Sequence, residues 1–426
     1  MSVDKAIQLL QQALVELQAP PPPPPTNNII PVTAGALLQS VHDSAPEGST
    51  LQLEPGTYNG VLNSTKRLTW ESNLILPPGR ITPNLCPVTI ISSGQTLTNK
   101  ATDAIFRGMC FKSTDPQQTI VVDNGLRFVF EQCVSIGDPA KGQHRGFCPH
   151  GTDAIITDSF IDECWLVGRD AAAIGGWDGT NGLLVNNSYL GGGAQSILFG
   201  GADPANPSRT PQKIQIQKCI LSKNPNWYTL GAQIKTALEL KNAVDVTVQD
   251  TVMEYAGISG GSTGYVCLLT PRNQNNTAPF SSVQRILLER CLMRFGGGAF
   301  NLLGQDDTNP SGPLMDVTIR NVMASDLDPT GPWKGQGRIF LFNKGPQKVT
   351  IDGFTAAGKN LQAQFYFIKP PVGLTVRNAV LPVTKYGVKI DGGASGWDAV
   401  KATTFAPDTV VDLKPGDTGA VGYPIV

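Results

Sequence analysis

The stretch Phe128-Val-Phe-Glu-Gln-Cys-Val134 reads apolar–x–apolar–polar–polar–x–apolar. The phrase returns at Ile214–Ile220, Val246–Val252, Ile286–Leu292, Val317–Met323, Val349–Thr355 and Leu374–Val380, with weaker copies from Ala104, Ala154 and Leu183. The ten starts lie 24 to 40 residues apart. A unit repeated at that period signals a solenoid, because each copy buries its apolar face only against its neighbours. Alternation within the phrase is that of a strand, not a helix. Each coil carries a second apolar stretch: Ser196–Phe199, Ala237–Leu240, Tyr265–Leu269, Phe300–Leu303, Ile339–Phe342, Tyr366–Ile368 and Tyr386–Ile390. Two or three short strands per repeat predict an all-β chain, a parallel β-helix of about ten or more coils. Its hand is right by the crossover rule.

Composition agrees. Glycine (46) and proline (33) are frequent, as turns demand. Net charge is −1, which gives no basic field for nucleic acid. No apolar run is long enough for a membrane span, and residues 1–18 lack the pattern of a secretory signal. Of eight cysteines, Cys133, Cys219 and Cys291 share the sixth slot of the phrase. This predicts small core residues; disulfides between neighbouring coils are an alternative.

The ends differ from the body. Residues 1–19 read as a helix whose Ile7, Leu10, Leu14 and Leu17 make a short seam for sister copies or a host surface. Six prolines, Pro20–Pro25, make 20–30 a semi-rigid linker. Residues 31–47 read as a capping helix, with Thr33 as N-cap, Leu37, Leu38 and Val41 as apolar face and His42 solvated. The β-helix is expected over 48–392, and a closing segment over 393–426, with a final strand at Thr409-Val-Val-Asp-Leu.

The opening segment Pro46-Glu-Gly-Ser-Thr-Leu-Gln-Leu-Glu-Pro-Gly-Thr-Tyr58, preceded by Ala36-Leu-Leu, resembles that of right-handed parallel β-helix proteins of the pectate-lyase-like superfamily. The likeness extends over about 31–392. That superfamily includes lyases, hydrolases, epimerases, phage tailspikes and inert virion parts, so the resemblance implies a fold more than an activity. The pectate-lyase and polygalacturonase motifs are absent from this sequence.

If the coils stack in register, the turns after the second apolar stretch form a column holding Asp203, Lys241, Arg272, Asp306 and Asp307. Glu239 then points outward beside it. Carboxylates near Arg and Lys suit glycoside hydrolysis, or lyase chemistry in which carboxylates hold calcium; turn-stabilising ion pairs are the plainer account. His144, His150 and Asp153, with Cys148, form an irregular cluster that is a weak metal candidate. Trp165, Trp177, Trp227, Tyr228, Trp333 and Trp397 fall in or near turns, where exposed rings stack on sugars and covered ones pack loops. The longest insertion, 255–283, is the place to expect a binding surface.

The sequence therefore predicts a virion surface component of a phage, for capsid decoration or a tail, anchored and trimerised through residues 1–30. A polysaccharide-degrading or glycan-binding protein, virion-borne or extracellular, is the alternative.

Overall fold

The computed structural model describes residues 28–396 and the backbone of 410–413. The expected helix at 1–19, with Ile7, Leu10, Leu14 and Leu17, lies outside the described residues, as do most of the linker, Trp397 and most of the closing segment.

Each repeat phrase is bent. Val129–Glu131 is one strand, Gln132 is a corner, and Val134–Ile136 begins the next strand. The fifth residue of all ten phrases has positive φ, from 42° at Asn187 to 72° at Gly353. So does the residue just before each phrase, from 50° at Lys348 to 77° at Gly182. These left-handed residues turn the chain in a single step at both ends of the first strand. Eight of the ten fifth-slot corners are not glycine, although left-handed φ costs such residues roughly 1–2 kcal/mol. A polar side chain there projects outward onto the corner of the coil above. Arg290 pairs with Asp250 through two bonds of 2.7 and 2.9 Å. Arg127 pairs with Asp103 at 2.6 and 2.8 Å on the other corner. Exposed pairs of this kind contribute about 0–1 kcal/mol, so their effect is on register.

The sixth slot turns back inside. Met109, Cys133, Ser159, Ser188, Cys219, Thr251, Cys291, Val322, Phe354 and Ala379 are all buried there. All eight cysteines are free thiols, and only Cys86 is not fully buried. The hydroxyls do more than fill space. Thr251 Oγ1 donates to the Gln249 carbonyl at 2.8 Å and accepts from the Cys219 amide at 3.3 Å. Ser159 and Ser188 repeat the pattern, which satisfies backbone groups that the corner takes out of the ladders.

Three parallel stacks follow, and the whole is a right-handed parallel β-helix. The first runs from Ile29–Val32 through Thr50–Leu53 to Val372–Ala379, and Val410–Leu413 pairs onto its end. The second starts at Gly56–Asn59 and Val88–Ser92. The third has twelve strands, from Leu62–Ser64 to Val388–Ile390. Inward residues stack like on like: Phe300, Phe340 and Phe365 lie 5.2 and 5.0 Å apart, ring on ring. From residue 104 onward, long loops leave only between the second and third strands (the front edge) or between the third and first (the back edge).

Four expectations change. The strand Ile29–Val32 takes in the last two linker residues. The helix spans Leu38–Ser44 with Leu37 as N-cap, not Thr33. Leu37 is 68% exposed, and the buried face is Leu38 and His42. His42 is not solvated: its ring stacks near Trp70 at 6.4 Å, and its Nε2 accepts from the Thr65 amide at 3.1 Å. Lastly, the insertion 255–283 is divided by the strand Tyr265–Leu269 between both edges.

The corner account makes a test. Asn321 is an exposed corner residue with φ 51°. Asn321→Val should lower stability by about 1–2 kcal/mol, whereas Asn321→Gly should stay within a few tenths; urea denaturation of the three proteins checks this.

Candidate functional site: the front edge

Phe199, Leu240, Leu269, Leu302 and Phe342 stand in register, so the turns after them do line up along the back edge. Arg272 Nη1 reaches Asp306 Oδ1 at 3.0 Å and also contacts Asp307. Asp306 takes the Asn273 and Thr308 amides at 2.8 and 2.9 Å. Asp203 Oδ2 takes the Asn275 and Thr277 amides, both at 3.0 Å, and the Thr277 hydroxyl at 2.7 Å. These carboxylates fasten the 270–282 loop. Burial pushes Asp306 up, but the Thr308 and Asn273 amides and Arg272 outweigh it and hold the carboxyl below its usual range. Such a group stays ionised at neutral pH and does not donate a proton there.

Glu239 points away from the lumen, between the buried Leu238 and Leu240, yet is itself only 5% exposed. Gln195 Nε2 donates to it at 2.6 Å, and Lys241 Nζ lies at 3.6 Å. Asp170, absent from the sequence reading, pairs with Lys235 at 2.7 Å beside the same glutamine. Both carboxylates face ammonium groups, so this network ties a front-edge loop to the third sheet.

The histidine cluster does not assemble. Cys148 Sγ and His150 Nε2 are 3.1 Å apart, and His150 meets Trp177 edge-on at 4.4 Å. Burial, then the nearby Arg145 and Arg169 charges, push His144 down to about 4. Asp153 is a left-handed corner residue of the first strand. Among the described residues no three His, Cys, Asp or Glu side chains gather to hold a metal.

The front edge is built differently. Trp165 and Trp227 are buried under the 223–235 loop, and both indoles donate to Glu163 Oε2, at 2.9 and 3.0 Å. They are packing residues. Trp333 is half-buried, with Tyr255 at 4.6 Å, Tyr228 at 5.3 Å and Phe295 at 6.0 Å. Tyr255 and Phe295 stack at 4.9 Å because they follow Glu254 and Arg294, which are partners in register. Their 40-residue spacing at one position of the repeat was the available signal, and sequence reasoning missed it. Two cavities flank this wall. One of about 470 Å³ is bounded by Asp326, Asp328, Trp333 and Lys359. The other, of about 530 Å³, is bounded by Ile258, Thr263, Thr330, Lys334 and Gln336.

Beside the wall, the outward positions of the second sheet form a polar row. Gly191 pairs with Ser222 and Glu254 with Arg294; Ser222 and Glu254 follow the paired Leu221 and Met253, and Asp162 joins the row beside Gly191 where the ladder shifts register. Ser222 Oγ donates to Glu254 Oε1 at 2.8 Å, and Arg294 Nε to Oε2 at 2.7 Å. Tyr189, stacked on Phe160 at 4.7 Å, stands next to the row. Burial raises Asp162 to about 7.

No protein-family model and no curated protein matches the chain. Among solved structures it is similar to the Dettilon tailspike protein, at 11% identity and TM-score 0.60 over 85% of this chain and 68% of that one. It is similar to the catalytic unit of a GH87 alpha-1,3-glucanase from Streptomyces thermodiastaticus, at 14% and 0.54 over 93% and 69%. A third likeness is to Geobacillus virus E2 ORF18, at 12% and 0.50 over 84% and 65%.

The Asp306 lock is testable. Its folded-state value lies below the ordinary 3.8, so its stabilisation is complete above about pH 4 and is lost as pH falls through the folded value. Asp306→Asn should cost about 1–3 kcal/mol at pH 7, with cleavage within 270–282 in limited proteolysis, and this penalty should shrink at pH 3. At this level of identity the likenesses establish one thing, that the chain has the parallel β-helix fold of these proteins.

Proposed function

We propose that this chain is a surface component of a phage-like virion, and that its front edge holds a surface polysaccharide. The carrying observation is the wall of Trp333, Tyr255, Tyr228 and Phe295, half-buried and flanked by two grooves with polar rims. Aromatic faces with nearby hydroxyl, carboxylate and ammonium groups suit sugars, whose rings have apolar faces and polar edges. The near-neutral charge gives no basic footprint for nucleic acid. The fold is shared with a tailspike and a viral open reading frame, which supports a particle component. Residues 1–30 would fix the body to the particle, as a trimer or on other virion proteins, through Ile7, Leu10, Leu14 and Leu17.

Immobilised bacterial capsular and O-antigen polysaccharides test the surface. Trp333→Ala should weaken retention tenfold or more, about 1.4 kcal/mol, with unchanged circular dichroism; equal retention would remove the wall from the account. A chain starting at Asn27 should lose attachment to particles, and trimers if they exist, while its β-helix still folds. Retained attachment would remove the anchor.

A further inference from the structure

We propose that Asp162 and Glu254 are an acid–base pair that hydrolyses a glycosidic bond of the polysaccharide held beside Trp333. The step rests on the glycan reading of the front edge.

Gly191 makes the arrangement possible. A Cβ at that position would lie 1.8 Å from Asp162 Oδ1, so the carboxyl occupies the place of the missing side chain, one rung along the row. That oxygen is buried and has no hydrogen-bond partner. From the other direction, Glu254 reaches back to Ser222, 2.8 Å from its hydroxyl. With rungs about 4.8 Å apart, the two carboxyl groups end roughly 5–9 Å from each other. That is the span over which paired carboxyl groups act on glycosides. Asp162 and Tyr189 are half-buried, and the buried Glu254 side chain retains 9% exposure.

Their surroundings differ. Glu254 accepts from Arg294 and Ser222. Among the described residues Asp162 has no ion-pair partner; its titratable neighbours are Glu163, Cys164 and Tyr189, and Tyr189 in turn faces Glu254. Burial raises Asp162 to about 7. Two carboxyl groups so differently surrounded, one hydrogen-bonded to an arginine and a serine and the other with an unpartnered buried oxygen, are suited to opposite roles. Asp162 gives its proton to the glycosidic oxygen as the bond to the anomeric carbon breaks. Glu254 takes a proton from the water whose oxygen bonds that carbon. One water is consumed, a free hydroxyl and a reducing end are formed, and the proton on Glu254 returns through solvent to Asp162.

The test uses the full chain and the polysaccharides retained in the binding assay, followed by size-exclusion chromatography and reducing-end titration. Wild type should shorten a retained polysaccharide, at a rate that falls as pH rises through about 7. Asp162→Asn and Glu254→Gln should cut the rate roughly 10²–10⁴-fold with retention unchanged. Should Glu254→Gln fail to fold, Asp162→Asn, nearly isosteric and not ion-paired, decides alone. A retained polysaccharide left at full length by wild type, or cut equally fast by Asp162→Asn, overturns the proposal while leaving the binding surface standing. Absence of any retention removes the glycan reading itself, and the proposal with it.

Discussion

The architecture depends on a one-residue turn. At each end of the first strand a single left-handed residue redirects the chain, and the same corner recurs one coil later at about 4.8 Å. That constraint orders everything around it. It forces the fourth and fifth residues of the phrase outward, where they are polar and pair up and down the column. It forces the sixth inward, where only buried thiols, hydroxyls and apolar groups occur. A corner this tight leaves no room for insertions, so from residue 104 onward the chain varies in length only at the other two edges.

Those two edges have been put to different uses. Along the back edge, acidic side chains close loops by accepting backbone amides, and Asp203 and Asp306 each hold two loop amides in this way. Along the front edge, the loops bring aromatic rings together. Rigid stacks below place those rings beside the outward row of the second sheet. A surface of this kind, fixed by a scaffold and varied by its loops, is the usual way in which solenoids bind extended ligands.

Much of the fold was legible because period-two alternation and the 24–40-residue interval are both direct consequences of stacking. The corner itself was written in the sequence less clearly. Asn187, Asn321 and Gly353 are residues expected at positive φ, but Lys218, Gln132 and Arg290 are not. His42 read as solvated because its helix is short and its burial depends on Trp70 and Thr65, more than twenty residues away. The back-edge column was readable from register, but the occupation of its carboxylates by loop amides was not, since that depends on loop conformation. Asp162 was invisible for a related reason. Its environment comes from Gly191 on the next coil, and an absent side chain leaves little pattern in a sequence.

The most direct measurement is a crystal structure of the full chain with an oligosaccharide from a polysaccharide that it retains. The account predicts a sugar ring stacked on Trp333 and a glycosidic oxygen close to Asp162. Sugar bound instead on the third sheet at Glu239 and Lys241, or along the back edge by Arg272, would contradict it.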